Sequence, residues 1–207
     1  MLNTKIYCFL EALSKKFKEI LVIAGNHDEY LEEFVDPVKL KPKTKKPPLS
    51  HCTYLLNSSV TISGVKFYGS PWVPVFRQWA FQLKRGQQLD DNWKQIPSDT
   101  DVLITHTPPL GVLDLSAHHL RAGCLSLLGH VVTRVQPRYH IFGHIHESYG
   151  ILKTSNTTFI NAATCDKSYR ARNAPVVFDI PISGGFSKES QRELERDFKN
   201  LGISSNL

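Results

Sequence analysis

Apolar residues recur at two different periods along the 207-residue chain, one helical and one strand-like. Ile6, Phe9, Leu10, Leu13 and Phe17 repeat at helical spacing, and Lys15, Lys16 and Lys18 crowd the far end, where cations favour the helix dipole. The short β-branched run Ile20-Leu21-Val22-Ile23-Ala24 then stops at Gly25 and predicts a buried strand. Pro and Lys dominate from Asp36 to Ser50, which predicts an irregular loop. Strands are expected over Ser59 to Ile62 and Val65 to Tyr68, with Ser63-Gly64 as the hairpin turn between them. Asp101 to Thr105 and Tyr139 to Phe142 read as two more buried strands. Between them, Cys124, Leu127, Leu128, Val131 and Val135 form an amphipathic stripe that predicts a helix over 123–134, stopped by Pro137. Further strands are expected over 157–160 and 176–180. The charged segment 187–201 carries Leu194, Phe198 and Leu201 on one face and reads as a helix capped by Ser187 and ended by Gly202. Strands alternating with helices and hairpins indicate an α/β domain.

Composition adds little to this picture. Hydrophobic residues make up 41% of the chain and charged residues 21%, which is ordinary for a folded domain. The net charge of +6 allows attraction to anionic substrates. Much of the excess sits in the run Lys39 to Lys46, which reads as a solvated loop; no aromatic residues interleave with it, and this argues against a nucleic-acid partner. The four cysteines are widely and irregularly spaced, so reduced thiols in a cytoplasmic protein fit better than a disulfide framework. No apolar run approaches membrane-spanning length, and the N-terminal segment reads as a helix, not a signal peptide. Sequons at Asn57 and Asn156 matter only for a secreted chain.

Candidate chemistry sits where strands end. Ile23-Ala24 runs into Gly25-Asn26-His27-Asp28, Ile104-Thr105 into His106-Thr107-Pro108-Pro109, and Ile141-Phe142 into Gly143-His144-Ile145-His146. Ligands gather outside the carboxyl ends of strands in open α/β sheets, and loops leaving those ends can converge distant residues on one point. Glycines at 25 and 143 would let the backbone turn sharply and approach closely. Asn and His are neutral donors suited to Mn, Fe, Zn or Ni. Each piece alone has a plainer reading: Asn26-His27 as a turn, Thr105-His106 as a loop, His144 and His146 as satisfied structural histidines. Asp28 reads as the cap of a following helix, Trp72 and Trp79 as packing residues, and His51, His118, His119, His130 and His140 as structural.

Together these blocks resemble the third, fourth and fifth signature blocks of the calcineurin-like metallophosphoesterases, in the same order. Tyr68-Gly69-Ser70-Pro71-Trp72, Arg85-Gly86-Gln87 and Ile160 to Cys165 narrow the likeness to the metallophosphoesterase-domain-containing group of small phosphodiesterases. The resemblance implies a four-layer α-β-β-α sandwich over residues 1–182, followed by a helical extension over 183–207. It implies that Asn26, His106 and His144 bind the second of two divalent ions, Mn2+ foremost with Fe, Zn, Ni or Mg as alternatives, and that His146 binds the first. His27 would be catalytic, stabilising transition-state charge or protonating the leaving oxygen. The implied reaction is phosphodiester hydrolysis, with cyclic nucleotides among the substrates, by attack of metal-bound hydroxide. The family's Asp-x-His and Gly-Asp blocks do not precede Gly25; residues 1–24 hold Glu11 and Glu19 but no Asp. The expectation is therefore an N-terminally incomplete domain whose first ion keeps His146 alone. The alternative reading is a non-catalytic relative that binds at most one metal or nucleotide and acts through partner contacts.

Overall fold

The two-residue turn at Ser63-Gly64 forms as expected. Both residues lie at positive φ, 49° and 81°, the mirror-image turn whose twist matches the strands it joins. Strands Ser58–Ile62 and Val65–Ser70 pair antiparallel around it. From this hairpin a six-stranded sheet grows. Val65–Ser70 pairs parallel with Val102–Thr105, which pairs parallel with Tyr139–Phe142 and then with Thr158–Asn161. Gly150–Lys153 closes the far edge antiparallel. The structure is a computed structural model that describes residues 2–36, 38–44 and 47–181. The expected helix over 187–201 and the 183–207 extension lie outside the described residues.

A second layer of strand lies against this sheet. Leu21–Val22 and Thr53–Tyr54 pair parallel, and the residues just after them press on the large sheet at Gly69. A Cβ at Gly69 would stand 2.3 Å from Leu55 Cβ and 2.8 Å from Ile23 Cγ2. Tyr68, Leu103, His140 and Phe159 line up across the strands as register neighbours. Tyr68, Leu103 and Phe159 share one core cluster with Leu89 and Trp93 of helix Gln87–Lys94 and Leu127 of helix Leu125–His130. The fold is thus mixed α/β around a central mixed sheet. Among the described residues, the other sheet of the expected sandwich is the Leu21–Val22 and Thr53–Tyr54 pair. Helix Leu2–Ser14 precedes it, with Leu10 buried and Tyr7 and Phe9 exposed. No helix among the described residues is long and apolar enough to cross a membrane.

Some expectations are corrected. Residues 176–180 form no strand; they run alongside Tyr139, whose ring stacks on Phe178 with centroids 4.7 Å apart and whose hydroxyl donates to Asp179 O at 3.0 Å. The stretch read as irregular loop holds a small ribbon, Val35–Asp36 against Lys41–Pro42. The helix expected over 123–134 is α-helical over Leu125–His130 and π-helical over Val131–Val135. It ends at Gln136, whose φ is 45° and whose N–H returns to Val131 O at 2.9 Å, one residue before the proline named as its stop. Helix Gln87–Lys94 and strand Gly150–Lys153 were not foreseen.

The closeness of the layers at Gly69 can be tested directly. Gly69→Ala must push Leu55 and Ile23 away from the sheet, and it should destabilise the protein by about 1–3 kcal/mol. Urea unfolding of the variant beside the parent measures this, and equal midpoints would contradict the packing.

Candidate metal centre

The first of the three strand-end loops is a tight turn. Asp28 N–H donates to Gly25 O at 3.1 Å, and the Asp28 carboxylate accepts Gly25 N–H at 2.7 Å. Asp28 does precede helix Glu29–Glu32, but its side chain makes no capping bond there. Asp28 thus holds the cap position it was read into, but its carboxylate is spent on closing the turn. Gly25 is required by proximity: a Cβ there would lie 2.6–2.8 Å from three atoms of the His106 ring. Ala80 N–H donates to Asn26 O at 3.1 Å, so a strand-linking loop steadies the turn from behind.

The second and third loops are stitched to each other. His106 N–H donates to Ser70 O at 3.2 Å, and His106 O accepts Gly143 N–H at 3.2 Å. The sharp turn expected at Gly143 falls instead on His144, whose φ is 66°. Such a conformation costs a non-glycine residue energy and persists where its surroundings over-determine it. Asn161 supplies that support. Its buried amide donates to Ile145 O at 2.8 Å and to Leu113 O at 3.1 Å.

These loops bring three of the sequence-nominated side chains to one point. Asn26 Oδ1 lies 2.7 Å from His106 Nε2 and 3.1 Å from His144 Nδ1. The two imidazole centroids are 4.9 Å apart. Two donors held at about 2.1 Å from one ion and at right angles stand about 3.0 Å apart, so these spacings match neighbouring corners of one coordination sphere. Asn26 is buried, and its Nδ2 finds no hydrogen-bond partner among the described residues. The donor set is neutral: one amide oxygen and two imidazoles. It therefore fits a divalent ion of the Mn, Fe, Zn or Ni kind. Among the described residues no group of three or more His, Cys, Asp or Glu side chains assembles as a metal site.

Electrostatics keep these rings neutral. Burial, reinforced by His144, His27 and His146 nearby, holds the His106 imidazole well below its usual range. Burial first, then His146 and His27, lowers His144 to about 4. A neutral imidazole is the form that offers a lone pair to a metal. His27 and His146 both act on the buried pair, so all four side chains share one neighbourhood.

That neighbourhood is a cavity of about 620 Å³ lined by Asn26, His27, His106, His144 and His146, with Arg77, Arg85, Arg121 and Lys167 among its other residues. Its size suits a small ligand. Arg85 is committed to Gly123 O and Ala122 O, and Arg121 to Asp114. Arg77 lies instead over the Phe76 and Trp79 rings. Trp79, read as a packing residue, lines the cavity with its ring 4.6 Å from that of His27. Trp72 is core. His118, read as structural, also lines the cavity, and His130 is held by Asp90 at 3.0 Å. Asp166 and Tyr169 escaped the sequence reading altogether. His146 Nδ1 meets Asp166 O at 3.1 Å, and the Tyr169 ring stands 5.1 Å from that of His146. Asp166 directly follows the Ile160 to Cys165 stretch, but a lone acidic residue and a tyrosine some twenty positions past His146 carry no motif that would have flagged them.

Behind the site, His140 is fully buried. Thr105 spends its hydroxyl proton on Thr107 O at 2.7 Å, so His140 Nε2–H must donate to the Thr105 oxygen at 2.8 Å. Its Nδ1 has no hydrogen-bond partner among the described residues, so a second ring proton would be buried unpaired. Burial lowers this imidazole to about 3.

A sequence profile of the calcineurin-like phosphoesterase family matches residues 2–148. Human metallophosphoesterase domain-containing protein 1 is 43% identical over 190 residues, covering 84% of this chain and 58% of that protein. A UPF0046 protein of Caenorhabditis elegans is 48% identical over 168 residues, covering 78% of this chain and 57% of its own length. The chain thus spans less than two thirds of the length of these relatives. A solved crystal structure, 18% identical, superposes with a TM-score of 0.54 over 76% of this chain and 62% of the other, a likeness of fold alone.

The buried histidines make stability depend on pH. His140 is neutral in the folded state down to about 3 and titrates near its usual 6.5 when unfolded. The unfolded chain therefore binds more protons as pH falls below about 6.5, and stability declines from there. His140 alone should contribute a slope approaching ~1.4 kcal/mol per pH unit, with His144 adding to it down to about 4. Urea midpoints at pH 7.5 and 5.0 measure the decline; a flat profile would contradict it.

Proposed function

Because this chain belongs to the calcineurin-like phosphoesterase family, we propose that its histidine-lined cavity hydrolyses phosphodiesters, cyclic nucleotides among them, with the help of divalent metal. One observation carries the reading: Asn26, His106 and His144 leave three separate strand ends and meet at hydrogen-bonding distance. In this reading those three residues hold one ion, manganese foremost. His146, which lines the same cavity, would hold the other ion. A bound divalent ion polarises the phosphoryl oxygens and eases deprotonation of water.

The chain's own residues do the rest. His27 is exposed to the cavity, with its ring held against Trp79. From there it gives a ring proton to the leaving oxygen or stabilises the charge that develops on the phosphorus oxygens. Arg77 has no carboxylate or carbonyl partner among the described residues and keeps its guanidinium for the substrate's anionic oxygens. Val75 and Phe76 on one wall and Leu120 on another give the substrate's organic part apolar surface. The four free cysteines agree with a reducing, cytoplasmic setting.

A second reading has its own support. Among the described residues no carboxylate joins Asn26, His106 and His144, and Asp28, the nearest in sequence, is tied to Gly25 N–H. A chain with these donors alone would bind at most one metal or nucleotide and act through partner contacts.

Hydrolysis of bis-p-nitrophenyl phosphate with added manganese separates the two readings, with metal content measured on the same samples. Release of p-nitrophenol that depends on metal is expected; bound metal with no release favours the second reading. His27→Ala should lower turnover by about 10²–10⁴-fold with metal content preserved. His106→Ala should chiefly lower metal content. Equal metal loss in both variants would refute this division of roles.

A further inference from the structure

The loop that follows strand Thr158–Asn161 reaches back over the cavity, and its organisation centres on Asp166. The Asp166 carboxylate accepts Ser168 N–H at 2.8 Å and Arg170 N–H at 3.1 Å through Oδ1. Its Oδ2 meets Arg170 Nη2 at 3.3 Å and Arg172 Nε at 3.6 Å. Asp166 N–H donates to Arg170 O at 2.9 Å, and Arg172 and Asn173 N–H both donate to Thr164 O. The Asp166 side chain thus gathers the turn, and backbone bonds to Arg170 O and Thr164 O complete it.

The backbone oxygen of the same residue does something different. Asp166 O accepts Tyr169 N–H at 2.9 Å and also lies 3.1 Å from His146 Nδ1. A carbonyl oxygen can only accept, so Nδ1 carries the proton. The Nε2 of a neutral His146 is then bare, in a residue that lines the cavity. Tyr169 is held at a φ of 59° although 65% of it is exposed, so burial is not what pays for that conformation. Its ring stands edge-on to two imidazoles: 5.1 Å from His146 at 82°, and 6.4 Å from His27 at 87°.

We propose that Asp166 is a positioning residue, whose turn fixes the His146 proton on Nδ1 and sets the Tyr169 ring between His146 and His27. The hydrogen bond made by one ring nitrogen decides which form the other takes. Histidine free in water favours the Nε2–H form, so the observed tautomer has to be imposed. That the freed Nε2 serves an ion rests on the functional reading above; the tautomer and the ring placement do not.

Both are measurable in the full chain without metal or substrate. Long-range 1H–15N correlation spectra of 15N-histidine protein at pH 7.5 distinguish Nδ1–H from Nε2–H. The parent should show His146 as Nδ1–H, with a Tyr169 ring-current shift and nuclear Overhauser contacts on His27. Asp166→Ala should move His146 toward Nε2–H and remove the Tyr169–His27 contacts. Asp166→Asn keeps the Oδ1 acceptor and should restore both signals. Tyr169→Gly, which suits a positive φ, should keep the Nδ1–H form and lose only the ring-current shift. An Nε2–H tautomer in the parent overturns the proposal even if Asp166→Ala fails to fold. So does an Asp166→Ala spectrum that matches the parent. A parent with the Nδ1–H form but no phosphodiester hydrolysis would remove the functional reading and leave this one standing.

Discussion

At Gly25 and at Gly69 the two layers of strand meet, in each place with side chains from only one layer between them. Leu55 and Ile23 occupy the space at Gly69, and the His106 ring occupies it at Gly25. This approach fixes the distance between a loop carried by one layer and loops carried by the other. Asn26 belongs to the first; His106 and His144 belong to the second. A gap wider by the depth of one methyl group would put the amide oxygen out of reach of both imidazoles. The site is therefore a property of how the layers pack as much as of the residues that line it.

The large sheet makes its own contribution through polar groups inside it. Ser70, Asn57 and Asn92 form a buried chain, with Ser70 Oγ donating to Asn57 Oδ1 at 2.7 Å and Asn57 Nδ2 donating to Asn92 Oδ1 at 2.7 Å. Thr105 and His140 form another, one strand over. Both sit at or near the carboxyl ends of strands, directly beneath the loops that carry His106 and His144. Buried hydrogen bonds of this kind have one good geometry, whereas apolar contacts tolerate sliding. They give the strand ends the rigidity that a convergent site requires.

Much of this was legible in the chain. The turn at Ser63-Gly64 announced itself because two positive φ values in a row need such residues, and the buried strands announced themselves by β-branched runs that stop at Gly or His. The strand ends nominated the three blocks that carry Asn26, His106 and His144, and the family resemblance supplied their grouping on one ion. The misses have physical causes. Helix Gln87–Lys94 hides because it buries only Leu89, Asn92 and Trp93, too few apolar positions to show a period. Residues 176–180 carry a strand-like pattern, yet their recorded partners are one ring and one hydroxyl of Tyr139, and a strand exists only where a neighbour accepts its ladder. Asp166 acts through a backbone oxygen, which no side-chain motif encodes.

The asparagine at the centre of the buried polar chain bears on where such a protein can be made. Asn57-Ser58-Ser59 is an acceptor sequon, but its amide nitrogen is committed inside the fold to Asn92 and to Leu40 O. An oligosaccharide could be attached there only while the chain was still unfolded. Once attached, it would keep Asn57 from closing the network under the Ser70 strand end. In a glycosylating compartment, modification and folding would compete for the same nitrogen.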